Sequence, residues 1–339
     1  MKRRVLDYLA CPQCRSPFRL VADAEPLEVE TGELVCQDGG HRYPILRGVP
    51  CLLSDALAAE VQRTAETFGW EWQVFNALHN STEVYHQQFL DWIHPIQPDF
   101  FQDKVVLDAG CGMGRFSAAS AAFGARDVLA IDFSSAVEAA YQNTKDLPNV
   151  HVVQADIYRL PFARPLDFAF SIGVLHHLPD PEAGFLALVK HLKPGGSIFA
   201  WVYGRENNEW IVRAVNPLRE KLFSRLPSTV LYALSFLVTL GVHPILKLVY
   251  RPANAAGWLK PLARRLPYNS YLSWLAQFGF RHNHHVIFDH LGAPTAFYIR
   301  REEFLGWFHK ASLSEPLLSW RNQNSWRGFA VLEHADPGP

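Results

Sequence analysis

The chain has 339 residues, 49% of them hydrophobic and 19% charged, with a formal net charge of −1 at pH 7. That length holds one large domain with additions, or two domains, and the apolar fraction supports a substantial core. Near-neutrality excludes a global electrostatic pull toward nucleic acid. Charge is uneven, however: the first two hundred residues are acidic by about eight, and Arg205 to Arg327 are basic by about nine. An anionic partner is therefore expected for the second half. Met1-Lys2-Arg3-Arg4 is basic, but Val5-Leu6-Asp7-Tyr8-Leu9-Ala10 is too short and polar for a secretory core. A reducing cytoplasm is the expected compartment, which makes metal binding the better use for the five cysteines.

Cys11-Pro12-Gln13-Cys14 is a thiolate knuckle, whose tight turn lets two sulfurs reach one metal. Cys36 follows, then His41 after Gln37-Asp38-Gly39-Gly40, then Tyr43-Pro44-Ile45-Leu46-Arg47-Gly48-Val49-Pro50. This stretch resembles the zinc ribbon of tRNA-methyltransferase activators, also found at the N-terminus of some methyltransferases, which ends in Tyr-Pro-Ile-x-x-Gly-Ile-Pro. The resemblance implies a zinc ion on Cys11, Cys14, Cys36 and a fourth ligand. Gly39 stands where the family has its last Cys, so His41 is the substitute, and Cys51 reads as apolar core. The alternative is a metal-free ribbon of reduced cysteines. About fifty residues make too small a core to stand alone, so the metal is expected to be a structural staple with no open position. Residues 1–53 are assigned to this domain.

Residues 54–103 read as a helical cap or linker, with Ser54 and Ser81 as N-caps. Phe68-Gly69-Trp70-Glu71-Trp72 stands out within it. Its aromatic residues either close over a ligand or belong to the core.

Val105-Val106-Leu107-Asp108 reads as a buried strand, Ala109-Gly110-Cys111-Gly112-Met113-Gly114 as a tight turn, and Phe116 to Ala122 as a helix. Glycines belong where a ligand lies against bare backbone, and the helix beyond them offers unpaired N–H groups. A second strand, Asp127 to Asp132, and a third, Val150 to Asp156, each end in an acid, and the Asp132 carboxylate suits a ribose diol. Leu166 to Gly173 is a fourth strand. Ser197 to Val202 is a fifth, after the turn Lys193-Pro194-Gly195-Gly196.

The Asp-x-Gly-x-Gly-x-Gly pattern and the order of these strands resemble class I S-adenosylmethionine (SAM)-dependent methyltransferases. The resemblance implies an α/β, Rossmann-like, seven-stranded and mostly parallel sheet with an antiparallel closing hairpin, plus the ribbon and a helical insertion. It places SAM on Asp108, Gly110, Cys111, Gly112 and Gly114. Asp132 and Phe133 would meet the ribose, Asp156 and Ile157 the adenine, and Ser171 and Gly173 the end of the fourth strand. The cofactor core spans 104–204. Residues 300–335 supply the closing helix and hairpin.

Residues 205–299 exceed an ordinary connection and are assigned as a helical lid over the substrate. Val230 to Val242 is apolar, but His243-Pro244 interrupts it before it reaches the length of a spanning helix. No acid lies between Glu220 and Asp289, while Lys221, Arg225, Lys247, Arg251, Lys260, Arg264, Arg265 and Arg281 are basic. Such a segment fits peripheral contact with an anionic membrane or a hydrophobic tunnel, the alternative being a buried lid with a solvated rim. In Arg281-His282-Asn283-His284-His285, alternation places His282 and His284 on one side and His285 on the other. Tyr203, His285, Asp289 and His290 are the candidate substrate residues.

Methyl transfer needs an acceptor held in line with the sulfonium and shielded from water. His177 and His176, just beyond the fourth strand, are the candidate catalytic residues, with His176 alternatively a cofactor contact. The leading expectation is a methyltransferase for a hydrophobic small molecule, lipid-like or a secondary metabolite. An RNA base methyltransferase that uses its ribbon on rRNA or tRNA is the alternative. A non-catalytic activator is a third class.

Overall fold

The computed structural model describes residues 1–22, 28–53, 59–75 and 82–333, so the expected caps Ser54 and Ser81 lie outside the described residues. Two sheets organise them. Strands β1 (Phe18–Val21), β2 (Gly32–Cys36), β3 (Arg42–Leu46) and β4 (Val49–Pro50) form an antiparallel ribbon. The larger sheet contains β5 (Val105–Ala109), β6 (Asp127–Asp132), β7 (Val150–Gln154), β8 (Leu166–Ile172), β9 (Leu192–Tyr203), β10 (Leu317–Arg321) and β11 (Ser325–Val331). Their order is β10-β11-β9-β8-β5-β6-β7, with β11 antiparallel to β9 and β10 antiparallel to β11. Every residue of β5 is buried, as a parallel strand covered on both faces requires. The order reverses between β5 and β8, and the crevice beyond their carboxyl ends is where such sheets bind ligands.

Helices α1 (Ala59–Val74) and α2 (Thr82–Ile93) precede β5; α3 (Arg115–Ala122), α4 (Ala136–Thr144) and α5 (Pro181–Val189) cover the sheet. The insertion holds α6 (Asn216–Lys221), α7 (Ser228–Ile245), α8 (Arg251–Ala255), α9 (Lys260–Ala263), α10 (Asn269–Leu275) and α11 (Phe280–Gly292). α12 (Arg301–Lys310) then leads into the closing hairpin. Two expectations change here. Pro244 does not end α7: the helix runs on to Ala255, passing through a wider turn over Leu246–Tyr250. Residues 282–290 are helical rather than alternating, so His282, His285 and Asp289 share one face while His284 turns toward α7, its Nε2 2.9 Å from Ser235 Oγ.

The ribbon is built onto the sheet. Leu52 N–H donates to the Gln154 carbonyl at 2.8 Å, continuing the pairing past the edge strand β7. Val5, Leu9, Leu34 and Tyr43 share one buried cluster with Val153, Leu160 and Phe162. A polar clasp reinforces the seam: Asp127, buried at the start of β6, accepts from Tyr8 Oη at 2.6 Å and Arg4 at 2.6 Å, and lies 2.9 Å from His151 Nε2. Burial alone would raise this carboxyl, but the hydrogen bonds from Tyr8 and His151 outweigh it and hold the group below the usual range. A depressed acid stabilises the fold above its unfolded value near 3.9 and loses that contribution as pH falls through the folded value. Asp127→Asn is therefore expected to cost about 3 kcal/mol at neutral pH and to flatten the acid limb of the stability curve. Denaturant unfolding of the variant at pH 7 and pH 3 measures both.

Candidate functional site

The glycine turn after β5 forms the floor of the site. Gly110, Gly112 and Gly114 have φ of 86°, 52° and 80°, a region that side chains rarely adopt. A Cβ on Gly110 would meet Val174 Cγ2 at 2.2 Å, and one on Gly112 would meet the Trp72 indole at 2.9 Å. The loop is braced internally. Gly110 and Cys111 donate to the Ile131 carbonyl, each at 2.8 Å, and Gly112 donates to Asp132 Oδ2 at 3.0 Å.

A cavity of about 1130 Å³ opens above this floor, large enough for a nucleoside cofactor together with an acceptor. Cys111, Gly112, Asp132, Phe133, Asp156 and Ile157 line it, as do Gly110 and Gly173. Asp132 also accepts from Ser134 N and Oγ at 2.9 and 2.7 Å, which aims its carboxylate. Asp156 accepts from Tyr158 N at 2.9 Å, and burial raises its carboxyl. Three expected cofactor residues stay out of the lining. Asp108 lies beneath the loop, accepts from Ser117 Oγ at 2.6 Å, and is pushed up to about 7, chiefly by burial. Gly114 abuts Ala140, and Ser171 Oγ donates to the Ala109 carbonyl at 2.9 Å. These residues hold the floor in shape.

The two candidate catalytic histidines part company. His177 lines the cavity, and its Nδ1 lies 2.5 Å from the Thr295 carbonyl, which fixes Nδ1 as the donor and leaves Nε2 as acceptor. Burial lowers it to about 4. His176 is fully buried behind Tyr203, the ring centroids 4.0 Å apart, and neither ring nitrogen has a partner among the described residues. It does not reach the cavity, because the short helical turn over 175–177 points successive side chains apart.

Tyr203 at the end of β9 and His285, Asp289 and His290 of α11 all line the cavity, so part of the inserted segment borders it. The group Phe68 to Trp72 divides: Phe68 and Trp72 face the cavity, whereas Trp70 stacks on Phe288 at 5.3 Å in a satellite core. Glu71 and Arg115 were not anticipated as site residues. Glu71 is 1% exposed and lies 2.7 Å from His285 Nε2. Arg115 lines the cavity over Phe116 and has no ion pair among the described residues, only a 3.5 Å hydrogen bond to Gln88. A signal existed for each: Glu71 is the one charge within an aromatic run, and Arg115 is a cation at a helix N-terminus, where the helix dipole disfavours it.

The residues present fit SAM. Asp132 can take a ribose diol, Ile157 and Phe133 offer apolar surface to a base, and Arg115 lacks the carboxylate that a methionine moiety brings. When bound, SAM supplies an electrophilic methyl group.

The ribbon fits zinc. The ligand atoms of Cys11, Cys14, Cys36 and His41 lie within 4.8 Å of one another. Cys14 Sγ is 3.2 Å from Cys36 Sγ, and His41 Nδ1 is 3.4 Å from Cys11 Sγ; tetrahedral zinc spaces its ligands about 3.5–3.8 Å apart. A Cβ on Gly39 would sit 2.5 Å from the His41 ring, so a larger residue at 39 and a ligating His41 exclude each other. Pro12 and Gln13 of the knuckle line the cavity, and Arg15 donates to the Leu160 carbonyl at 2.7 Å beside the adenine wall. Zinc chelation, or Cys14→Ser, is thus expected to loosen that wall and weaken SAM binding in calorimetry. Unchanged affinity would uncouple ribbon from cleft.

Comparison with known proteins agrees at two places. A family profile described as "Methyltransferase domain" matches residues 106–196, and one described as "Trm112p-like protein" matches residues 2–48. A tRNA U34 carboxymethyltransferase of Ruthia magnifica subsp. Calyptogena magnifica is 36% identical over 101 residues, covering 29% of this chain and 32% of its own. A ubiquinone biosynthesis O-methyltransferase of Erwinia tasmaniensis is 29% identical over 182 residues, covering 52% and 68%. The chain thus spans about a third of the Ruthia protein's length and about half that of the Shewanella tRNA U34 carboxymethyltransferases. Among solved structures, a complex of the Haloferax volcanii Trm112 methyltransferase activator with a methyltransferase aligns at TM-score 0.44 and 14% identity, over 80% of this chain and 100% of that one. The chain thus joins, in one polypeptide, a segment similar to Trm112-like proteins and, behind it, a segment similar to methyltransferase domains.

Proposed function

We propose that the protein methylates a hydrophobic small molecule taken up beside an anionic membrane surface, to which it attaches peripherally from the cytoplasm. One observation carries this reading: the insertion that roofs the cavity with aromatic and histidine side chains turns an apolar, cationic face outward. Within the helical run Ser228–Ala255 an 18-residue window has a mean hydropathy of 1.8, and only 22% of that window is buried. Leu231, Ser235 and Thr239 face inward, while Leu237, Leu248 and Trp258 are 64%, 76% and 81% exposed. So large an apolar patch on a soluble surface calls for a partner, and the acid-free stretch around it selects an anionic one. One relative in sequence is a ubiquinone biosynthesis O-methyltransferase.

The names of the matched relatives weigh more for a second reading, an RNA base methyltransferase. Several are tRNA U34 carboxymethyltransferases, the N-terminal domain is Trm112-like, and an aromatic cavity also suits an extruded base.

Two measurements separate these readings. Incubation with methyl-labelled SAM and either a total lipid extract or total tRNA is expected to label the solvent-extractable fraction. Label confined to tRNA would transfer the assignment to the second reading. In co-sedimentation, the protein is expected to bind phosphatidylglycerol vesicles in a salt-sensitive manner and phosphatidylcholine vesicles weakly. Leu237→Glu with Leu248→Glu should abolish that binding and leave SAM affinity intact. Equal failure to bind either vesicle would remove the membrane from the proposal.

A further inference from the structure

Glu71 and His285 approach each other from elements more than two hundred residues apart in sequence, α1 and α11. Glu71 Oε1 is 2.7 Å from His285 Nε2, and its Oε2 has no partner among the described residues. The imidazole is clamped between rings, stacked on Phe75 at 4.8 Å and edge-on to Trp72 at 4.9 Å, while its cavity side stays open. Trp72 in turn lies against Gly112, so one indole separates the imidazole from the cofactor floor. A carboxylate held on Nε2 selects the tautomer that leaves the Nδ1 lone pair available.

We propose that His285 is the general base that deprotonates a hydroxyl of the acceptor, with Glu71 as its positioning residue, so that the reaction is an O-methylation. This inference rests on the small-molecule reading above. The oxygen lone pair forms the new O–C bond as the C–S bond of the sulfonium breaks, its electron pair going to sulfur. The hydroxyl proton passes to His285 Nδ1, and the resulting imidazolium rests against the Glu71 carboxylate. His177 is less suited: its anchor is a neutral carbonyl, and the nearby charge is the Arg219 cation, which disfavours an imidazolium there.

The charged and titratable groups around the pair are Arg115 from α3 and His282, His284 and Asp289 from α11 itself. Burial pushes Glu71 up and His285 down to about 4, and Arg115 favours the ionised Glu71. Asp289 is pushed up to about 7, by burial first and then by Glu71. The form with ionised Glu71 and neutral His285 therefore grows as pH rises, and the methylation rate should climb with it.

The test has an arm that needs no acceptor. In nitrogen-15 NMR, His285, assigned by its loss in His285→Ala, should show Nε2–H with a free Nδ1, and Glu71→Gln should shift that signal. An Nδ1–H tautomer indifferent to Glu71→Gln would overturn the proposal, whatever the acceptor is. With 4-tert-butylcatechol as acceptor, Glu71→Gln and His285→Ala should each lower kcat about 100-fold and flatten its rise with pH. Imidazole should partly rescue His285→Ala, and SAM affinity by calorimetry should stay within about twofold of wild type. Loss of SAM binding in Glu71→Gln would instead make Glu71 a cofactor contact and sink the proposal.

Discussion

The site depends on one contact, the Trp72 indole resting on the bare backbone of Gly112. No residue with a Cβ could occupy that glycine without displacing the ring, and the φ of 52° already disfavours one. Through this contact the helix before the sheet reaches the cofactor floor. Glu71 is carried with it, and the rings of Trp72 and Phe75 give α11 a surface to close on. Three parts distant in sequence thereby share one cavity.

That cavity is built at a cost in electrostatics. Glu71, Asp108, Asp132 and Asp289 are acids whose charged forms burial disfavours, and Arg115 lacks a direct carboxylate partner among the described residues. A fold optimised for stability alone would place apolar residues there. Buried charge concentrated along one cavity, with partners left open, is the pattern of a site that completes itself with ligand.

The ribbon has two mechanical roles. It covers the edge of the sheet at β7, and it presents its metal knuckle to the cavity at Pro12 and Gln13. The Asp127 clasp and the Arg15 hydrogen bond tie it to the base of β6 and to the segment after Asp156. A small domain with little core of its own thus gains from the sheet the apolar partner it lacks, and stiffens one wall of the cleft in return.

The amino-acid order alone determined what is local. The glycine turn, the acid that closes β6 and the one just beyond β7, the Cys and His spacing of the ribbon and the closing hairpin all follow from short-range backbone and ligand geometry. Helix α11 misled, because a run of polar and aromatic residues from Arg281 to Asp289 shows alternation and helical spacing about equally well. Pro244 misled too, since it lies inside α7 and the helix runs on past it. Only the tertiary structure decided that Glu71 meets His285, that Arg115 enters the cavity with no ion pair among the described residues, and that His176 faces away from it. Those facts depend on how remote helices dock, and docking follows side-chain shape summed over many contacts rather than any pattern between neighbours.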